Sequence, residues 1–304
     1  MPATLQLITA GTNVTFISLL NYSLNGLVEG LLIALPALAL TLVMGVARFA
    51  NAATGDYMTV SAYGAVAAQK AIAASASAAM LGALAIGIAV SVLAGWLVFR
   101  LLRGRPFVTS LVASIGVALL TRSVLTYFVG HDPQTIEIPL MRAWNYWGIR
   151  ILPTDIAVAA IALLAMALVF GILYLTPLGR EMRAVADNPD LARASGIRAN
   201  RVWITLWVIV GVLCAFGGVL YGAKAVVVPE LGWELLIPAF AAMVAGGVGN
   251  PVGAVLAGVL LGVIQELSVP FVGPSYKIAM SFLVLLIVLL FRPRGLFGVS
   301  VSTR

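Results

Sequence analysis

Charge is scarce in this chain, which has 18 basic and 11 acidic residues among 304, while 62% of its residues are hydrophobic. Its mean hydropathy of +1.09 is too high for a soluble domain, because such a domain must cover its core with polar surface. Composition therefore excludes a soluble globular protein and predicts a membrane protein. The net charge of +7 does not indicate nucleic-acid binding, since basic residues of membrane proteins gather in cytoplasmic loops.

Side chains that build disulfides, metal sites and phosphate-binding loops are equally scarce. Cys214 is the single cysteine and lies in an apolar run, so it is expected to be a small buried side chain without a disulfide. His131 is the single histidine, and we interpret it as a surface residue of an outer loop. No Gly-Lys pair occurs, which excludes a P-loop for ATP. The sequence therefore predicts neither catalysis nor a cofactor.

Long apolar stretches dominate the chain, and a membrane helix needs about 20 such residues. The candidate segments are 23–46, 57–75, 79–101, 108–129, 154–176, 202–222, 235–268 and 277–291. Because these runs are continuous and do not alternate as barrel strands do, they predict an all-α polytopic membrane protein with about eight segments.

The sequence also suggests how the chain is divided. We expect a lead-in over 1–22 that lies along the membrane surface, a membrane domain over 23–298 and a tail over 299–304. The number of crossings stays open, because 235–268 is long enough to form a re-entrant pair or to cross twice.

Two interruptions break the apolar pattern, RFANAATGDYM at 48–58 and AGGVGNPVGAVLAG at 245–258. Gly lowers helix stability and Pro removes a backbone donor, so both stretches predict helix breaks. Paired interruptions in a transporter indicate an internal repeat with a path beside it, since irregular backbone at membrane depth needs protein or water around it. The alternatives are a short cytoplasmic loop at 48–58 and a tight turn at 249–251; for 245–258 we expect a break within the membrane.

Polar and glycine residues near the apolar interior are candidates for lining a translocation path, because charge inside a membrane is costly and faces protein or water. The candidates are Asn51, Thr54, Asp56, Gly246, Gly247, Gly249 and Glu266. Glu29 and Arg122 also lie within apolar segments. For these two, snorkelling to the interface or pairing with a neighbouring helix is the competing interpretation.

Basic clusters set the predicted orientation. RLLRGRP (100–106) and FRPRGLFG (291–298) are both expected in the cytoplasm. Segment 108–129 then runs outward, so the following loop, which contains Trp144, lies outside. The next segment returns to the inside and places the loop 177–201 in the cytoplasm.

The loop 177–201 concentrates charge in an otherwise apolar chain. Its charged residues from position 179 onward are Arg180, Glu181, Arg183, Asp187, Asp190, Arg193, Arg198 and Arg201. Thr176-Pro177 and Asn188-Pro189 are cap-and-proline helix starts, and Gly196 is a left-handed stop, so two short helices are predicted. A folded loop with this charge is expected to dock a soluble partner. The simpler alternative is a solvated loop that faces lipid headgroups.

The same loop resembles the coupling loop of permease subunits in ATP-binding-cassette (ABC) importers, specifically the branched-chain amino-acid (LivH-type) family. The matching residues are Gly179, Arg180, Arg183, Ala184, Asp187 and Gly196. The stretches 239–267 and 276–298 resemble the family's glycine-rich segment and C-terminal signature, and 51–63 resembles its first polar break. In that break the chain has Ala52, Thr54 and Asp56 where family members usually have Phe, His and Glu.

The resemblance implies a multi-pass subunit of the bacterial inner membrane that translocates a small polar solute. A branched-chain or other neutral amino acid is the expected cargo, with urea, short amides and small aromatic acids as alternatives. The implied partners are a second related permease subunit, two ATPase subunits, a soluble periplasmic or lipid-anchored substrate-binding protein and membrane lipid, with no nucleic acid. Docking of the ATPase explains the charged loop.

Two other classes of protein compete with this interpretation. A stand-alone secondary transporter or channel needs a coupling-ion carboxylate inside the membrane, for which Glu266 and Glu29 are the candidates. An intramembrane enzyme needs paired acids or clustered histidines on a helix, and the sequence has neither.

Overall fold

The computed structural model describes residues 16–72, 75–138, 142–146, 149–293 and 295–298. The helices are α1 (Phe16–Ala47), α2 (Thr54–Ala71), α3 (Ala76–Ala94, continued by a π turn over Gly95–Phe99), α4 (Phe107–Val129), α5 (Pro153–Leu175), α6 (Pro177–Asp187), α7 (Pro189–Ala194), α8 (Ala199–Gly222), α9 (Leu231–Gly246), α10 (Pro251–Val272) and α11 (Lys277–Phe291), with a 3-10 turn over Pro274–Tyr276. Two short strands, β1 (Trp144–Tyr146) and β2 (Ile149–Ile151), pair antiparallel. The prediction of an all-α polytopic membrane protein is confirmed.

Seven helices in the described part of the chain are long and apolar enough to cross a membrane: α1, α3 with its π turn, α4, α5, α8, α10, and α11 with its 3-10 turn. The sequence predicted about eight such segments. The count differs by one because α2, which corresponds to the predicted segment 57–75, carries polar residues such as Asp56 and Gln69 and is not apolar enough to qualify. The single predicted segment 235–268 is divided between α9 and α10, of which only α10 is long enough to cross. The 16 residues of α9 extend about 24 Å, less than the roughly 30 Å of a bilayer core.

The predicted interruption of 235–268 is present, but it takes the form of the alternative, a tight turn, which covers 247–250 between two helices. The expected break at membrane depth stays a prediction. Gly247 and Gly249 have φ of +107° and +82°, a region that favours glycine, and Asn250 caps α10 by accepting a hydrogen bond from the N–H of Gly253. The glycines are therefore needed for the turn itself. An internal repeat stays a prediction.

Helix α1 lies at the centre of the bundle. Its residues 32–40 are almost completely buried, and their side chains are apolar. Its N-terminal half lies against α10 with glycine at the contact: a Cβ on Gly30 would come within 2.7 Å of the Val259 backbone, and one on Gly262 would collide with the Gly30 backbone. Small residues allow such close approach in lipid. The helix begins at Phe16, within the stretch 1–22 predicted as a lead-in, while 1–15 and 299–304 lie outside the described residues. The division of the chain into lead-in, membrane domain and tail stays a prediction.

The bundle has two ends, which we name after their elements. At the α6 end, which carries α6, α7 and the α3–α4 connection, the Arg103 guanidinium donates to Asn200 Oδ1 at 3.5 Å. At the β end, which carries the two strands, Gln134 and Val227 form a backbone bridge and Gln69 Nε2 donates to the Glu137 carbonyl at 2.9 Å. The basic cluster 100–106 and the loop 177–201 thus lie at one end and Trp144 at the other, as the charge pattern predicts; Arg294 lies outside the described residues.

Candidate functional site

The break after α1 is buried inside the bundle and is not a loop in solvent. Arg48 is exposed, but from Phe49 to Met58 every residue is buried except the half-buried Ala52. The chain's own groups and one neighbouring helix satisfy much of the irregular backbone: the Ala53 N–H donates to Asn51 Oδ1 at 3.2 Å, and the Ala52 N–H to Ser114 Oγ at 3.0 Å. This is the setting in which non-helical backbone is tolerated at membrane depth.

Three of the predicted path residues come together in this break. Asn51 and Thr54 are fully buried, Asp56 is 1% exposed, and Thr54 Oγ1 donates to the Asn51 carbonyl at 2.8 Å. Among the described residues, Asp56 Oδ2 has no hydrogen-bond partner, and Asn51 Nδ2 and the Tyr57 hydroxyl, which lie close enough to interact with each other, have no other. Unpaired polar atoms are costly to bury, so their accumulation marks a place where water or a polar solute could complete the bonding.

Asp56 is paired with Arg122 of α4. Arg122 Nε donates to Asp56 Oδ1 at 3.0 Å, and its Nη2 lies 2.9 Å from the same oxygen. The guanidinium carbon also lies 5.1 Å from the ring centroid of Trp233. Arg122 is 21% exposed and borders an open cavity of about 470 Å³ at the β end, so the ion pair connects the buried break to that cavity. Pairing, and not snorkelling alone, is therefore the interpretation that fits Arg122.

The remaining predicted path residues lie elsewhere. Gly246, Gly247 and Gly249 form the turn at the α6 end, where the Leu296 N–H donates to the Ala245 carbonyl at 2.7 Å. Glu266 lies at the other end of the bundle, where its carboxylate is paired with Lys277. The structure thus joins Asn51, Thr54 and Asp56 in one place but does not bring the glycines or Glu266 to it.

Two short helices form in the charged loop, as predicted from their capping signals. The hydroxyl oxygen of Thr176 accepts from the Gly179 N–H at 3.4 Å at the start of α6. Asn188 Oδ1 accepts from the N–H groups of Asp190 and Leu191 at 3.1 and 3.0 Å at the start of α7. Gly196 ends the unit with a φ of +83°.

Helix α6 is fixed to the last turn of α5 by two of the motif residues. A Cβ on Gly179 would collide with the carbonyls of Ile172 and Leu173, so only glycine permits this approach. Arg183 turns back to donate to the Leu173 carbonyl, and its guanidinium carbon lies 5.5 Å from the ring centroid of Tyr174. Arg183 therefore braces α6 from within the chain.

The other motif residues leave a surface open on α6. Arg180 and Asp187 are exposed, and Ala184 is half-buried. Within the described residues, no hydrogen bond or ion pair engages the Arg180 side chain. Leu191 of α7 is 65% exposed. Exposed apolar side chains with polar residues around them are a common composition for a protein-docking surface.

Sequence reasoning missed three contributors to this site. Tyr57 and Trp233 bear buried polar atoms, and no motif or spacing in the sequence points to either of them. Arg48 Nη2 donates to the carbonyls of Ala186 and Asp187 at 2.9 and 3.2 Å, which joins the break to the C-terminus of α6 across 138 residues. The only signal for Arg48 in the sequence was its charge at the start of the predicted break 48–58.

Comparison with known proteins matches residues 22–290 to a family described as the permease component of branched-chain amino acid transport systems. The chain is similar to the high-affinity branched-chain amino acid permease protein BraD of Pseudomonas aeruginosa, with 31% identity over 290 residues that cover 90% of this chain and 94% of that one. It is also similar to LivH of Salmonella typhimurium, with 27% identity over 93% of this chain and 96% of the relative.

A third relative is the permease protein LivM of the same Salmonella typhimurium transport system, with 29% identity over 51% of this chain and 38% of that one. These relatives are described as transport permeases and not as enzymes. The chain is a multi-pass membrane protein that belongs to the LivH-type family of ABC-importer permeases for branched-chain amino acids.

Proposed function

We propose that this chain is one of two membrane halves of an ABC importer that carries a neutral amino acid with a branched aliphatic side chain across the bacterial inner membrane. ATPase subunits dock on α6, and a soluble or lipid-anchored binding protein delivers the cargo at the β end. The relatives BraD and LivH, which are named for branched-chain amino acid transport, support the cargo class.

The way in which α6 is held is the main support for ATPase docking. Gly179 and Arg183 fix the helix against α5, while Arg180 stays exposed and unengaged within the described chain. A helix that is rigidly braced on one side and free on the other transmits a push from a bound partner with little loss. The Arg180 charge suits an acidic cleft on that partner, since complementary charge gives an interface its register.

The buried break supports a path beside α2. Asn51, Thr54 and Asp56 bring polar groups to a part of the bundle that is otherwise apolar, and some of those groups lack partners in the described chain. A path in an importer with two membrane halves runs between the halves. Because these groups are closed off inside this chain, they border the path only when the break opens toward the second half.

The docking proposal is tested by changing Arg180 to Glu in the assembled transporter. We expect the variant to insert normally, to lose ATPase from the purified complex and to lose uptake of radiolabelled leucine, because the new charge repels an acidic cleft. Arg105→Glu is the matched control, since Arg105 is exposed at the same end but lies in the α3–α4 connection. Normal ATPase recruitment and uptake in Arg180→Glu would show that α6 is not the dock.

A further inference from the structure

Arg48 forms a direct polar link between the buried break and α6. Its Nη2 donates to the carbonyls of Ala186 and Asp187, the last carbonyls of α6, at 2.9 and 3.2 Å. Such carbonyls have no partner within their own helix. A cation at this position is also stabilised by the negative end of the helix dipole. In the described part of the chain, no other hydrogen bond joins α6 to the segment 48–53.

The backbone at Arg48 is held in an unusual conformation. Its φ of +60° is the only positive value among the described residues other than glycine. An arginine in this region costs free energy, and such conformations persist only where the surroundings impose them. The strained residue lies between the end of α1 and the break, at the position where a change in φ and ψ would redirect residues 49–53.

Packing between α1 and α6 is loose around this link. A cavity of about 330 Å³ lies between them, lined among others by Thr41, Gly45 and Met182. Close-packed side chains would transmit a movement of α6 over a broad area, but a cavity leaves its lining without partner atoms on one side. The hydrogen bonds of Arg48 reach α6 at the edge of this cavity, at Ala186, which is one of its lining residues.

We propose that Arg48 is a positioning residue that transmits movement of α6 to the buried break and so to Asn51, Thr54 and Asp56. The proposal rests on the proposed function, in which α6 moves with the docked ATPase. When α6 shifts, its terminal carbonyls carry the guanidinium with them, and the strained backbone at Arg48 re-aims the chain that leads into α2. The ATPase cycle is thereby connected to the polar groups beside the path.

Arg48→Asn tests the link without adding strain, because Asn tolerates the left-handed region but is too short to reach α6. The variant is reconstituted with its partner permease, ATPase subunits and binding protein, and leucine uptake is measured together with ATP hydrolysis. We expect normal recruitment of the ATPase and about a tenfold fall in leucine transported per ATP, the loss expected when a charged hydrogen bond is removed. Arg48→Lys keeps a donor of similar reach and should recover part of the ratio.

A second readout separates transmission from a merely structural role. In a Cys214→Ala background, Ala52→Cys is labelled with a thiol reagent while the ATPase is trapped in its ATP-bound state. Trapping should change the labelling rate when Arg48 is present and leave it unchanged with Arg48→Asn, whereas Arg105→Asn should behave like wild type.

Each contrary result has its own meaning. A wild-type ratio of leucine to ATP in Arg48→Asn, or a labelling change that persists in it, overturns the proposal. Loss of ATPase recruitment in Arg48→Asn also overturns it, because Arg48 would then serve only to shape α6. If the ATPase does not dock on α6 at all, Arg180→Glu will still recruit the ATPase normally. That result would contradict the proposed function and can be distinguished from a failure of the Arg48 proposal.

Discussion

Replacing Arg122 with Met should destabilise the bundle more than replacing Asp56 with Leu, although both changes break the same ion pair. Removing Arg122 leaves the Asp56 carboxylate, which is 1% exposed, without its cation. An uncompensated buried charge of this kind costs about 3–5 kcal/mol. Removing Asp56 leaves Arg122, which is 21% exposed, borders the cavity at the β end and keeps its contact with the Trp233 ring, so the cost should be about 1.5–3 kcal/mol.

The double variant completes the comparison. With both charges replaced by apolar side chains no uncompensated charge remains, and such replacements are often neutral. We therefore expect Asp56→Leu/Arg122→Met to be more stable than Arg122→Met alone. The assay is equilibrium unfolding of each purified variant in mixed micelles of increasing SDS content, followed by circular dichroism. Equal losses in the two single variants, or a double variant no more stable than Arg122→Met, would refute the burial argument.

Two further predictions concern glycines. Gly262→Ala should lower the thermal midpoint of the purified protein, because its new Cβ collides with the backbone of Gly30, whereas Gly116→Ala should leave the midpoint unchanged or slightly higher, since nothing lies within 4 Å of a Cβ there. Gly247→Leu should insert in the membrane but transport poorly, because its φ of +107° excludes a branched side chain and its Cβ would lie 2.9 Å from the Gly298 nitrogen; transport at the wild-type rate would show that the turn does not matter to function.

Local signals in the sequence predicted local structure well. The caps at Thr176 and Asn188 and the stop at Gly196 act within a few residues of the groups they satisfy, so both short helices could be predicted from the printed sequence. The interruption near Gly247 was predictable for the same reason, because glycine and proline change backbone preferences where they stand.

Long-range pairing could not be predicted from such signals. Asp56 and Arg122 are 66 residues apart, one in a polar break and the other within an apolar segment, and neither stretch offers a clue to the partner of its charge. The same holds for Arg48, whose carbonyl acceptors on α6 become visible only when the bundle is assembled. Glu266 was predicted to line the path because it is acidic and lies near apolar residues. In the structure it forms an ion pair with Lys277 at the β end.

Membrane crossing was predicted in class but not in number. Apolar composition predicts helices, but burial inside the bundle allows α2 to be more polar than a lipid-facing helix and still lie between its neighbours. The family match was predictable from the motif around Gly179, whereas the roles of its residues were not. The structure divides the two arginines of that motif, since Arg183 braces α6 and Arg180 remains open.

The central claim is that a soluble ATPase drives this chain through α6. The most direct test is to determine on which side of the membrane α6 lies in the assembled transporter. Arg180→Cys and Trp144→Cys are introduced separately in a Cys214→Ala background and treated with a membrane-impermeant thiol reagent in intact cells and in inside-out vesicles. The account predicts that position 144 is labelled in intact cells, and that position 180 is labelled only in inside-out vesicles and is protected when the ATPase is present. Labelling of position 180 in intact cells, or in vesicles regardless of the ATPase, would contradict it.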